Sequence, residues 1–207
     1  MKRVIVYCEG PTEETFIKRL LAPVFYDKEI YLVPSSCDGV SKYSIIKRDL
    51  RNLCRRDTNA IITTMLDYYG LPVETPGMDL ECGMDIYRRV TIIEDKIKED
   101  IGADNLIPNL MVHEFEALLF TKPECFSCCG LSSREINVLL QARAQAESPE
   151  HINNNPNTAP SKRILSVYPA YQKPLDGYSV ASQIGIEAMR QECRHFNEWI
   201  DTLMRLS

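Results

Sequence analysis

The sequence has no apolar run approaching the roughly 18–20 residues of a membrane span. Met1-Lys2-Arg3 leads straight into a short strand-like run in place of a signal peptide's hydrophobic stretch. A soluble, cytoplasmic protein with no membrane partner is therefore expected. Also missing is a second CxxC, or an HxxxH, at a spacing that would complete a zinc site with Cys125 and Cys128. Without that complement, eight cysteines spread over a chain of ordinary core composition read as reduced thiols and not as a secreted disulfide scaffold. Nor is there an excess of positive charge. A net charge of -5 argues against a protein that coats nucleic acid non-specifically, because that mode depends on neutralising many phosphates. No internal repeat or low-complexity tract appears.

What is present is enough apolar material for one sizeable core, at 44% hydrophobic and 26% charged over 207 residues. Arg3-Val4-Ile5-Val6-Tyr7-Cys8 is a continuous apolar run that breaks at Gly10-Pro11, as a strand buried on both faces would. Pro11 suits the first position of a helix that carries Phe16, Ile17, Leu20, Leu21 and Val24 on one stripe and ends before Lys28. Residues 29–34 read as a second strand followed by a turn at 35–39, and Tyr43, Ile46, Leu50 and Leu53 recur at helical spacing. Residues 60–66 form a β-branched third strand that stops at Asp67. Ile86, Val90, Ile93, Ile97 and Ile101 mark a helix closed by Gly102, and residues 106–112 form a fourth strand that turns helical at once. This alternation predicts an α/β fold: a Rossmann-type parallel four-stranded sheet flanked by helices over residues 1–125. Helices at 132–147, 161–168 and 179–206, with a polar stretch at 148–160, predict a helical C-terminal extension over 126–207 that packs on the core.

In a parallel sheet, ligands bind beyond the carboxyl ends of the strands. Those ends carry Glu9, Asp67, and the group His113, Glu114 and Glu116. Carboxylates gathered without cysteine repel one another unless a cation neutralises them, and an all-oxygen set suits Mg²⁺ or Mn²⁺. His113 beside Glu114 is either a proton-transfer residue or a helix cap. Trp199 and the stripe Phe115, Leu118, Leu119 and Phe120 read as core.

Val6-Tyr7-Cys8-Glu9-Gly10-Pro11-Thr12-Glu13-Glu14 resembles the glutamate motif of Toprim domains, and Met65-Leu66-Asp67-Tyr68-Tyr69 sits where they place Asp-x-Asp. The stretches from Thr64 to Pro72, from His113 to Phe120, and from Thr158 to Arg163 resemble the bacterial family called domain of unknown function 4276. The resemblance implies a Toprim-like core. It also implies kinship with topoisomerases, primases, overcoming-lysogenization-defect nucleases and small ribonucleases, and a setting beside ATPase genes in phage-defence loci. Carried over, Glu9 matches the Toprim glutamate and Asp67 the first aspartate, while Tyr69 replaces the second. Glu13, Glu114 or Glu116 must then supply the missing oxygen for two-metal chemistry.

Two basic features stand out against the acidic whole. Lys42, Lys47, Arg48, Arg51, Arg55 and Arg56 crowd one predicted helix, either as a solvated face or as a phosphate-contacting patch. Ser161, Lys162 and Arg163 open another helix, where cations oppose the dipole and suggest a counter-anion such as phosphate, with Lys173 adding a contact from the next loop. Docking of these cations onto acids of the core is the alternative. The expected function is a Mg²⁺-dependent Toprim-like nuclease, the effector of an ATPase-linked anti-phage system. Glu9, Glu13, Asp67, His113 and Glu114 are its catalytic candidates, and Glu9, Asp67, Glu114 and Glu116 its metal ligands. Two alternatives stand beside it: a degenerate Toprim module that binds an AAA- or ABC-type ATPase or nucleic acid without cutting, and a phosphotransfer or nucleotide-hydrolysing enzyme. DNA against RNA, and whether the chain forms a homo-oligomer, are left open.

Overall fold

The computed structural model describes residues 1–37, 39, 42–79, 83–152 and 158–207. The turn expected at 35–39 and the polar stretch at 148–160 fall partly outside them. The first apolar run forms β1 (Lys2–Cys8), whose Val4, Val6 and Cys8 enter one buried cluster while Tyr7 enters another on the opposite face. Burial on both faces is why the run shows no polar alternation. β1 pairs in parallel with β2 (Ile30–Ser36) and with β3 (Ile61–Asp67). The sheet order is β2-β1-β3-β4, with β5 also pairing with β3.

The strand expected at 106–112 is two short pieces, β4 (Leu106–Ile107) and β5 (Leu110–Met111). Pro108 has no N–H to give to a ladder. The side chain of Thr64 fills in, its hydroxyl donating to the Asn109 carbonyl at 2.6 Å and accepting from the Asn109 N–H at 2.8 Å. The parallel α/β class holds, with five strands in place of the expected four.

The helix expected from Pro11 begins as α1 (Pro11–Phe16), widens into a π-turn over Ile17–Leu21 and tightens into a 3-10 segment over Ala22–Lys28. Pro23 cannot supply the N–H that regular α-helix needs there. α2 (Tyr43–Arg56) and α3 (Ile86–Ile101) cover the face of Tyr7, Ile62 and Leu66, and α3 ends on Gly102 in the left-handed region. The other face is covered by α1 and by the C-terminal helices: α4 (Ser133–Ala144), α5 (Pro160–Val167), α6 (Tyr178–Ile184), α7 (Ile186–Glu192) and α8 (Arg194–Met204). The single helix expected over 179–206 is three, broken at Gly185 with φ of +80° and at Cys193, which is extended. Trp199 is core, and its indole N–H donates to Thr63 Oγ1 of β3 at 2.9 Å. Among the described residues, no helix is long and apolar enough to cross a membrane.

Candidate functional site

β1 and β3 run in register, Cys8 opposite Met65, so the residues just beyond them emerge at one sheet edge. There Glu9 Oε1 accepts the Asp67 N–H at 2.9 Å. Gly70 makes room for that carboxylate: a Cβ at this position would lie 3.0 Å from Glu9 Oε1 and 3.4 Å from Oε2. Glu13 sits in the first turn of α1, where its Oε2 accepts the Gly10 N–H at 3.1 Å, the glutamate half of a capping box whose N-cap glycine has no side chain to return a bond.

After β5 the chain reverses through His113, which takes φ of +65°, a conformation that costs a side-chain-bearing residue about 1 kcal/mol or more. The His113 carbonyl accepts the Tyr69 N–H at 2.9 Å, and the Phe115 N–H reaches back to Asp67 Oδ1 at 2.8 Å. Glu114 and Glu116 are thereby turned toward Asp67, and one oxygen of each of the three lies within 4.8 Å of the others. Glu116 is fully buried on the 3-10 segment Phe115–Thr121, and its Oε1 has no hydrogen-bond partner among the described residues. Glu114 caps α5, accepting the Ser161 N–H at 2.5 Å and the Ser161 hydroxyl at 3.0 Å.

Into this group comes Lys173, from a short turn at Lys173–Gly177. Its ammonium lies 3.2 Å from Asp67 Oδ2, 3.2 Å from Glu116 Oε2 and 3.5 Å from Glu13 Oε1. The sequence leaves Lys173 as either a phosphate contact or a cation that docks on acids of the core. The structure turns it inward, because three carboxylates attract its charge more strongly than solvent exposure alone would.

Burial dominates the protonation of the acids. It raises Glu9, to which the Asp67 charge adds, and it raises Glu13 and Glu114. Glu116 is pushed up to about 8 by burial, against the attraction of Lys173. Burial works to lower Lys173, but Asp67, Glu116 and Glu13 hold its ammonium well above the ordinary lysine range. Three carboxylates contact one ammonium and Glu9 and Glu114 lie beside them, so the charges do not balance. Either the acids keep protons or a further cation enters. The donor set is all oxygen, the buried Glu116 Oε1 has no partner among the described residues and Gly70 leaves space at Glu9, which together fit a hard divalent ion.

The other expected site residues are not gathered here. His113 is buried, its ring stacks on Tyr69 at 4.9 Å between centroids, and burial holds its pKa down to about 4, so it is neutral at physiological pH. Tyr69, in the place of the second aspartate, lies along His113. Arg51 donates to the carbonyls of Asp100 and Ile101 at the end of α3, which leads into the start of β4 and so lies at the opposite sheet edge from Glu9. Arg48 pairs with Asp49 and is exposed. At the start of α5 the anion is Glu114 itself. Lys162 is exposed beside it, and Arg163 donates to the Thr158 carbonyl. Gly70 is the residue that sequence reasoning passed over, since a glycine in a proline-containing loop looks like ordinary turn chemistry.

The fold and this edge define a parallel α/β protein with an acidic centre at the carboxyl ends of its strands. The chain belongs to the family described as Domain of unknown function (DUF4276), which it matches over residues 8–204. No curated protein matches it. Among solved structures, the C-terminal region of the Xanthomonas campestris pv. campestris OLD protein is similar, at 14% identity and a TM-score of 0.45 over 98% of each chain.

Proposed function

We propose that the acidic centre holds Mg²⁺ or Mn²⁺ and that the protein hydrolyses phosphodiester bonds of DNA or RNA. The observation that carries this reading is the gathering of Glu13, Asp67 and Glu116 on a single ammonium, with Glu9 bound to the Asp67 N–H, Glu114 within reach of Asp67 and Glu116, and the buried Glu116 Oε1 without a partner among the described residues. Glu9 and Asp67 are the ligands in this reading, held by the Asp67 and Phe115 N–H groups, while Glu13, Glu114 and Glu116 line the shell. A bound divalent ion supplies Lewis-acid polarisation and neutralises charge that builds on the phosphate. In this reading Lys162, exposed next to Ser161, meets a substrate phosphate. Cytoplasmic location, an ATPase partner and an anti-phage role belong to the same reading, on the strength of the family resemblance.

A second reading is favoured by Tyr69, which lies on His113 in place of a carboxylate: a module that binds nucleic acid or an ATPase without cutting. Incubating the purified protein with single- and double-stranded DNA and RNA, with and without Mg²⁺ or Mn²⁺, separates the two. Metal-dependent cleavage lost in Glu9→Gln and Asp67→Asn, with folding intact, is the expected result. Binding without cleavage selects the second reading, and cleavage that persists in EDTA or in both variants sinks the first.

A further inference from the structure

We propose that Lys173 is a tethered cation of the acidic centre, filling one of two cation positions its carboxylates define, so that the site takes a single divalent ion. The inference rests on the metal-binding reading above and specifies its stoichiometry.

Asp67 has two oxygens with different fates. Oδ1 is directed by the Phe115 N–H, and Oδ2 faces the Lys173 ammonium at 3.2 Å. Glu116 Oε2 and Glu13 Oε1 face the same ammonium at 3.2 and 3.5 Å from two other elements of the chain. Three carboxylates from α1, the end of β3 and the segment after β5 thus surround one point, and that point holds a positive charge. A divalent ion needs oxygens at about 2.0–2.6 Å, and these three carboxylates, now 3.2–3.5 Å from Nζ, could close on one at the point Nζ occupies. Glu9 is outside the set of carboxylates that Lys173 contacts, yet its oxygen accepts the Asp67 N–H and its charge is opposed by that of Asp67, so the remaining position is assigned between these two.

The ammonium is held by structure and not by charge alone. Its turn is closed by the Gln172 N–H donating to Asp176 Oδ2 at 2.7 Å and by the Asp176 N–H donating to the Gln172 carbonyl at 2.8 Å. Gly177 lets the turn lie against α1 and Phe115. A Cβ there would meet the Tyr171 hydroxyl at 2.9 Å and Phe115 Cε1 at 3.3 Å. The Lys173 side chain is 35% exposed and its ammonium sits 6.0 Å from the Phe115 ring centroid. A pre-formed turn of this kind presents its charge at fixed cost, whereas a swinging side chain would lose rotamer freedom each time it entered. Tyr69, in the place where a second aspartate would add charge for a second ion, is consistent with a site that needs only one.

The test uses Mn²⁺ alone, read by calorimetry and by electron paramagnetic resonance on the full chain. Wild type should bind one ion with a mononuclear six-line spectrum, Lys173→Arg should still bind one, and Lys173→Met should bind two. Two ions in wild type, or an exchange-coupled spectrum, overturns the proposal while leaving the metal-dependent reading standing. One ion in Lys173→Met at unchanged affinity overturns it as well, because the ammonium then excludes nothing. No ion in wild type removes the metal-dependent reading itself and this inference with it. Should Lys173→Met fail to fold, the wild-type spectrum decides alone, a mononuclear signal supporting the proposal and a coupled one refuting it.

Discussion

Glu116→Gln keeps the side chain's shape and removes the charge that burial opposes. In the absence of a divalent ion, the Glu116 carboxyl is pushed up from 4.5 to about 8, burial outweighing the attraction of Lys173. An acid with a raised folded-state pKa holds its proton more tightly when folded than when unfolded. Its contribution to stability is therefore present below pH 4.5 and lost as the pH rises through 8. At about 1.4 kcal/mol per pH unit across that interval, ionised Glu116 costs the folded state up to about 5 kcal/mol. Glutamine carries an amide N–H₂ that also needs a partner, and an unpartnered buried group costs about 1–3 kcal/mol. The net gain is about 2–4 kcal/mol. At about 2–4 °C per kcal/mol for a chain of this size, Tm of the glutamine variant should exceed wild type by roughly 5–10 °C at pH 9. Below pH 4.5 the advantage should be gone. Thermal melts in EDTA from pH 4.5 to 9 measure it. A Tm difference that does not change with pH, or a variant less stable at pH 9, refutes the account of Glu116 as a buried carboxylate short of cationic partners.

Two further outcomes follow from the same geometry. Gly70→Ala puts a methyl 3.0 Å from Glu9 Oε1, so the carboxylate must swing away. Mn²⁺ affinity measured by calorimetry should fall by about tenfold, roughly the 1.4 kcal/mol of one misplaced contact, with Tm nearly unchanged. Unaltered affinity would mean that Glu9 is not a ligand. Outside the acidic centre, His195 Nε2 lies 2.8 Å from Glu94 Oε1, joining α8 to α3. Burial works to lower the His195 pKa, but the Glu94 bond and charge, with Glu150 and Glu198, raise it above its ordinary value. The stability this pair contributes is present below about pH 6.5 and lost as the pH rises through the raised value, so the Tm gap between wild type and His195→Gln should narrow above neutrality. A gap that widens with pH, in melts run with Glu116→Gln as the background, would contradict it.

Much of the fold was legible because its strands are buried on both faces. Continuous apolar runs such as Arg3 to Cys8 have no other soluble use at that length, and the periodic isoleucines of α3 with Gly102 behind them leave little freedom. What escaped was interruption. Pro23, Pro108 and Gly185 were visible, yet whether each ends an element or is absorbed depends on what replaces the lost hydrogen bond. At Pro108 the replacement is Thr64, a residue 44 positions earlier, and no local pattern announces it. Periodicity also cannot tell α-helix from the π and 3-10 turns of residues 17–28, since the same apolar face is buried either way.

The acidic half of the candidate site was legible for a topological reason: adjacent parallel strands must end at the same edge, so Glu9 and Asp67 meet whatever the details between them. The cationic half was not. Lys173 is 106 positions from Asp67, in a proline- and glycine-bearing loop, and the sequence alone left it open between a phosphate and the acids of the core. Ser161 likewise looked like the opening of a phosphate site, because a helix start with no acid nearby in sequence seems to want an external anion. In the folded chain the anion is Glu114, supplied from the sheet edge. Both ambiguities have one cause. A sequence shows which charges exist but not which of them the fold sets against one another, and a sheet edge that collects five carboxylates has to be met by charge from elsewhere in the chain. The C-terminal helices do that here: through Lys173 and the start of α5 they bring to the strand ends the ammonium and the N–H donors that the acids lack within their own elements.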